Sequence, residues 1–201
     1  SYYRFITREI PGGFSRAWRL ESERLARQGK GPWTPGNEIL QPALVTVLLY
    51  GGLTLWLGWQ ALPFLLLQAA FAYTLLSAAN YVEHYGLLRD KVGEGRYERP
   101  QPRHSWNSNH IVSNLVLYQL ERHSDHHAHP TRSYQALRHF EDAPQLPTGY
   151  FGMFLVALFP PLWRRVMDPR VLAHARGDLS RINIDPASAD RYQNGHRPVA
   201  A

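Results

Sequence analysis

Three features of the sequence predict an all-α integral membrane helical bundle, built here from a transmembrane hairpin and cytoplasmic histidine-bearing helices. No charged residue occurs from Ile39 to Ala79. Basic residues flank that stretch at both ends and are missing from its centre. Histidines crowd into one short segment, Gln119 to Pro130 (QLERHSDHHAHP).

The N-terminal 38 residues are mixed and charged. Ala17 to Arg27 has the spacing of a short amphipathic helix, with Trp18, Leu20 and Leu25 on its apolar side. Gly29 to Asn37 is rich in Gly and Pro and breaks it. The uncharged stretch that follows is too long for one ordinary membrane helix. It divides at Gly58–Pro63 (GWQALP) into spans at about 38–57 and 62–81. Each is roughly 20 residues, enough at ~1.5 Å per residue to cross a ~30 Å hydrocarbon layer. Trp56 and Trp59 lie at the turn, where indoles favour the membrane interface. Arg4, Arg8, Arg16, Arg19, Arg24, Arg27 and Lys30 precede the hairpin, and Arg89, Lys91, Arg96, Arg99 and Arg103 follow it. The positive-inside rule then places both flanks in the cytoplasm. The competing reading is a buried helical hairpin of a soluble protein.

Leu88 to Pro102 reads as a polar loop. Ser108 to His129 reads as one helix, with Asn107 or Ser108 as N-cap and Pro130 just past its end. Thr148 to Trp163 is apolar but short, and suits a re-entrant or interfacial segment. The expected organisation is one domain over 1–172 and a polar tail or linker over 173–201, with His174 and His196 at the surface. The chain starts at Ser1 without methionine, which points to a piece of something longer.

The formal net charge is +6 at pH 7, a balance that fits nucleic acid or the cytoplasmic margin of a membrane protein. The uncharged hairpin favours the second and makes a nucleic-acid module a poor reading. There is no cysteine, so these residues hold no disulfide, thiolate zinc site, Cys-ligated iron–sulfur cluster or rubredoxin domain.

His123, His126 and His127 stand at i, i+3 and i+4. On a helix they share one face, where neutral imidazoles can converge on one or two metal ions. Imidazole suits zinc, copper, iron and nickel, so the cluster alone does not name the metal. An exposed His-rich helix end is the bland alternative. His84 closes the second span within Asn80–Leu87 (NYVEHYGL), and an ionisable residue leaving an apolar helix is a functional candidate. Glu83 and Asp125 can accept from the outer nitrogen of a ligating imidazole, or can be solvated carboxylates. His104 and His110 lie in Arg103–Asn114 (RHSWNSNHIVSN), which serves either as a second layer around the site or as a capped loop.

At these residues the sequence resembles a known family. LERHSDHHAHP is similar to the third histidine box of the alkane 1-monooxygenases, within the wider membrane desaturase and hydroxylase class, and NYVEHYGL to the additional histidine motif of the alkane hydroxylases. The separation of the boxes and the intervening RHSWNSNH fit as well. The resemblance implies two non-haem iron ions held by histidines alone in a six-helix membrane bundle. It implies insertion of one atom of O2 into the terminal C–H of a medium-chain n-alkane, giving a 1-alkanol. Electrons would come from rubredoxin, separate or fused, reduced by rubredoxin reductase. The implied location is the bacterial inner membrane, with the active site toward the cytoplasm. By position His84, His123, His126 and His127 would be iron ligands, with Glu83 and Asp125 in support. Leu65, Leu66, Phe71 and Leu75 would be candidates to line an apolar substrate channel. The family's two earlier histidine boxes do not occur in this sequence, so the expectation is a C-terminal part carrying about half of the ligands. A membrane fatty acid desaturase or hydroxylase of the same histidine-box class and a zinc-dependent membrane hydrolase stay open as alternatives.

Overall fold

The computed structural model describes residues 1–186, so His196 and the tail beyond Pro186 lie outside the described residues. The chain divides within its third helix into two compact units, Ser1–Ala78 and the residues from Ala79 on.

The first unit begins with α1, Tyr2–Ala26, which is longer than the amphipathic stretch at 17–27 and carries Pro11 in its interior. Leu25 is fully buried, and Trp18 rests between Phe14 and Trp33, but Leu20 is exposed rather than on the packed side. Glu21 joins the end of α1 to the next helix. Its carboxylate receives two hydrogen bonds of 2.7 Å from Arg24 and one of 2.7 Å from the Glu38 amide. Those donors hold the Glu21 carboxyl down at about 2, the Arg24 guanidinium first. Buried Asn37 accepts from the amides of Ile39 and Leu40 at 2.8 and 3.0 Å. It thereby serves as a side-chain cap at the start of α2, Leu40–Leu57.

α2 and α3, Ala61–His84, are the only helices among the described residues long and apolar enough to cross a membrane. They begin and end within three residues of the expected spans. At ~1.5 Å per residue they are about 27 and 36 Å long. Their most apolar windows are 0 % and 11 % buried, unlike the mostly buried core helices of a globular protein. An apolar surface of that length suits the hydrocarbon layer of a membrane. Gly58, at φ +90°, turns the chain between them. Trp56 and Trp59 are exposed there.

In the second unit the end of α3 packs into a small core. Tyr81 and Tyr85 lie 5.0 and 5.2 Å from the Trp163 ring, and the Tyr85 hydroxyl donates to Asp168 at 2.8 Å. α6, Tyr150–Ala157, and α7, Pro160–His174, supply Tyr150, Met153, Ala157, Trp163, Met167 and Val171 to this core. The apolar segment 148–163 is therefore divided. Pro160 opens α7 at the first helical position, where its missing N–H costs nothing. The polar loop after α3 contains a short antiparallel hairpin of β1, Lys91–Gly93, and β2, Arg96–Tyr97.

The single helix expected over 108–129 does not form. α4 covers Ile111–Val116 and α5 covers His123–Ala128. His110, not Asn107 or Ser108, caps α4, its ring accepting from the Ser113 amide. Between the two helices Tyr118 and Gln119 adopt φ of 52° and 62°. This left-handed conformation is rare outside glycine. The break swings Glu121 inward, where it is fully buried. Its carboxylate receives Asn114 Nδ2 at 3.3 Å and the Tyr150 amide at 2.5 Å, at the start of α6. Burial raises the Glu121 carboxyl above the usual range, and the Tyr150 amide works against that rise.

Candidate metal centre

Three imidazole nitrogens converge where α3 ends and α5 begins. His123 Nε2 lies 3.3 Å from His84 Nε2 and 2.7 Å from His127 Nε2. The ligand atoms of all three residues fall within 4.8 Å of one another. A metal with nitrogen ligands at ~2.1 Å sets neighbouring nitrogens about 3.0 Å apart in an octahedron and about 3.4 Å in a tetrahedron. The two separations around His123 lie close to these, and with all three ligand atoms within 4.8 Å of one another the residues fit a metal ion. His123 is buried, His84 half-buried and His127 exposed, so one side of the cluster is open.

Electrostatics suit a cation as well. Burial, then the neighbouring His127, His84 and His126, depresses the His123 imidazole to about 2. Burial and the same kind of neighbours bring His127 down to about 4. Both rings are neutral at physiological pH and present lone pairs. The His84 tautomer follows from its partner. Its Nδ1 lies 3.3 Å from the His104 backbone carbonyl, which can only accept, so the proton sits on Nδ1 and the bare Nε2 faces the cluster.

The supporting residues differ from the sequence expectation in instructive ways. His104 contributes its backbone carbonyl to His84, while its ring points elsewhere. His110 caps α4. Glu83 is buried, with Oε2 3.3 Å from His123 Nε2. It therefore meets the ring on the side that faces the other histidines, not at the outer nitrogen Nδ1, which has no hydrogen-bond partner among the described residues. Asp125, fully buried, accepts from His129 Nδ1 at 2.9 Å, from the Arg138 amide at 2.8 Å and from Arg132. It ties the loop after α5 to the helix rather than orienting a box imidazole. Burial works against its charge, but the Arg138 amide and Arg132 together still hold its carboxyl below the usual range. His126 stands beside the cluster, its ring 6.0 Å from that of His123 and 5.7 Å from that of His127, and its nitrogens are not among the converging three. On α3, Leu66, Phe71 and Leu75 are exposed and Leu65 is half-buried.

The stretch His104–Ser108 is the zipper that joins α3 to the histidine box. The Trp106 amide donates to the Glu83 carbonyl at 2.8 Å, and its indole to the Tyr85 carbonyl at 2.8 Å. Asn107 donates to Ser124 Oγ at 2.6 Å and accepts from the Ser124 amide at 2.9 Å. The Ser108 amide donates to the Glu121 carbonyl at 3.1 Å. Sequence reading singled out neither Glu121 nor Ser124, and took Asn107 only as a candidate N-cap. For Asn107 the signal is the uncharged polar run Ser105–Asn109 between the two histidine motifs, much of which folding buries.

A family model described as fatty acid desaturase matches residues 1–157. Among curated proteins, alkane 1-monooxygenase 1 of Alcanivorax borkumensis is 56 % identical over 193 residues, covering 96 % of this chain and 48 % of the relative. Alkane 1-monooxygenase of Pseudomonas putida is 58 % identical over 190 residues, 94 % of this chain and 47 % of the relative. The xylene/toluene monooxygenase hydroxylase component of Pseudomonas putida is 31 % identical over 165 residues, 80 % of this chain and 42 % of the relative. The chain thus spans about half the length of the curated relatives it matches. With its histidine motifs assembled at the end of an apolar helix and the family model matched over most of its length, the chain belongs to the fatty acid desaturase family, among relatives that include the alkane 1-monooxygenases.

Proposed function

We propose that the protein hydroxylates the terminal carbon of medium-chain n-alkanes to 1-alkanols, with O2 as oxidant and rubredoxin, reduced by rubredoxin reductase, as electron donor. The observation that carries this reading is the meeting of His84 with His123 and His127, in a chain 56–58 % identical to alkane 1-monooxygenases. His84, His123, His126 and His127 are assigned as ligands of two non-haem irons. Bound iron would supply the activation of dioxygen. The chain's own contribution is to hold bare, neutral Nε2 atoms at fixed positions and to fix the His84 tautomer through the His104 carbonyl. Leu65, Leu66, Phe71 and Leu75 are assigned to the apolar path of the substrate, which offers no polar group to grip. The basic flanks of the hairpin support a site on the cytoplasmic side of a bacterial inner membrane, and a surface attractive to an acidic electron carrier.

The test uses membranes with the full-length protein, supplied with octane, O2, rubredoxin, its reductase and NADH, and 1-octanol is measured by gas chromatography. Octanol from the unaltered protein and none from His126→Ala or His123→Ala, with lower iron content in both, is the expected result. Iron bound and rubredoxin oxidised without octanol would overturn the substrate assignment and favour a desaturase or another hydroxylase. Full activity of His126→Ala would remove it from the ligand set.

A further inference from the structure

We propose that Glu98 and His104 are positioning residues for His84, so that the β1–β2 hairpin braces the metal centre from outside. This rests on His84 being a metal ligand, as assigned above. The His84 ring is oriented by a backbone carbonyl, at 3.3 Å from Nδ1, and a carbonyl points where its own residue is held. Residue 104 is held at both ring nitrogens. The Gln101 amide donates to His104 Nδ1 at 3.0 Å, which makes Nδ1 the unprotonated nitrogen. Nε2–H therefore donates to Glu98 Oε1, 2.9 Å away. Arg103 Nε stands 3.1 Å from the same Nε2, beside Glu98.

Glu98 in turn is fixed by the hairpin. Its carboxylate receives the Asp90 amide at 3.0 Å and Arg103 Nη2 at 2.6 Å, and its carbonyl receives Arg89. Its side chain is only 12 % exposed, although it lies beside a hairpin whose own residues are exposed. A two-stranded ribbon this short has little stability of its own. The charged clamp links it to the 3-10 turn Pro102–His104, and through the His104 carbonyl to His84. The bland reading, a clamp that only closes a surface loop, has no consequence for the ligand field of a metal held by His84. The positioning role does.

The experiment uses the full-length protein in detergent, freed of iron and titrated with cobalt(II), and follows the ligand-field absorption and affinity. The variants are Glu98→Ala, Glu98→Gln, Glu94→Ala and His84→Ala. Outer residues that orient a ligating histidine change metal affinity by about 10- to 100-fold. Glu98→Ala is expected to weaken cobalt binding by that order and to shift the absorption bands. Glu98→Gln keeps an oxygen acceptor for His104 and should restore most of the loss. Glu94→Ala, an exposed hairpin charge, should leave both readouts unchanged. If Glu98→Ala does not accumulate, Glu98→Asp replaces it, because a carboxylate drawn back by one methylene releases His104 while keeping the charge. Wild-type affinity and bands in the Glu98 variants, with His84→Ala impaired, would overturn the positioning role and leave His84 as a ligand. Unchanged cobalt binding in His84→Ala would instead overturn the ligand assignment itself.

Discussion

Replacing Asp125 with asparagine separates two roles that its place inside the histidine box suggests. The carboxylate is fully buried and is shared by Arg132, the Arg138 amide and His129. Asparagine can still accept from the Arg138 amide through Oδ1. The His129 side chain is 51 % exposed, so its pair contributes little. The loss therefore falls on the Arg132 contact, whose guanidinium is on a side chain only 20 % exposed. A hydrogen bond to a charged group contributes about 1.5–3 kcal/mol, which makes about 2 kcal/mol a fair figure here. The loss should appear as local opening of the loop that Asp125 tethers. At about 1.4 kcal/mol per factor of ten, amide protection in 129–138 should fall roughly 30-fold. The amides of Arg132, Ala136 and Leu137, each bonded within that loop, are the reporters. Hydrogen–deuterium exchange of the detergent-solubilised protein measures them, with metal content determined on the same sample. Unchanged exchange together with a tenfold or greater loss of metal affinity would refute the tether and return Asp125 to the imidazoles.

Three further predictions follow from the geometry. Because His123 stays neutral in the folded chain to about 2 but protonates below about 6.5 when unfolded, the unfolded state binds more protons in acid. Stability of the metal-free protein should be complete above about pH 6.5 and fall as pH drops, by up to ~1.4 kcal/mol per pH unit from this residue, and a flat melting profile between pH 6.5 and 4.5 would contradict it. Gly86→Ala places a Cβ 2.7 Å from Val171 Cγ1 at a φ of +72°, so it should destabilise by about 2 kcal/mol or more, read as a lower Tm, since both clash and backbone strain act together. Gly149→Ala sets a Cβ 2.1 Å from Ser113 Oγ at the start of α6. It should lower Tm, and adding Ser113→Ala should recover part of the loss as a measurable coupling in a double-mutant cycle.

The membrane hairpin was legible because charge is costly in lipid. An uncharged stretch from Ile39 to Ala79 leaves few alternatives, and its ends appear as the first polar residues. The histidine boxes were legible for a related reason, since imidazoles at helical spacing have few uses besides a cation. The break between α4 and α5 was not, because Tyr118 and Gln119 take left-handed conformations without the glycine that signals them. Tertiary demand decided that break: Glu121 had to reach the start of α6. The role of His104 was hidden for a different reason. It acts through a carbonyl that every residue has, so its side-chain identity pointed away from its function. Asp125 sits in the box by sequence, yet its partners His129, Arg132 and Arg138 come from a loop whose path the spacing does not specify.

His84 is the last residue of α3, five positions beyond Ala79, where the uncharged stretch ends. At ~1.5 Å per residue that is about 7.5 Å, or less than one and a half turns of rigid helix. His84, one of the three converging histidines, is thus attached directly to the end of a long apolar helix. Helices meet a mismatch with the hydrocarbon thickness by tilting, and a tilt of this rod displaces the His84 ring relative to lipid. Acyl-chain length, which sets the hydrocarbon thickness, thereby bears on where His84 stands. A histidine carried at the very end of such a helix is in this way mechanically coupled to the bilayer around it.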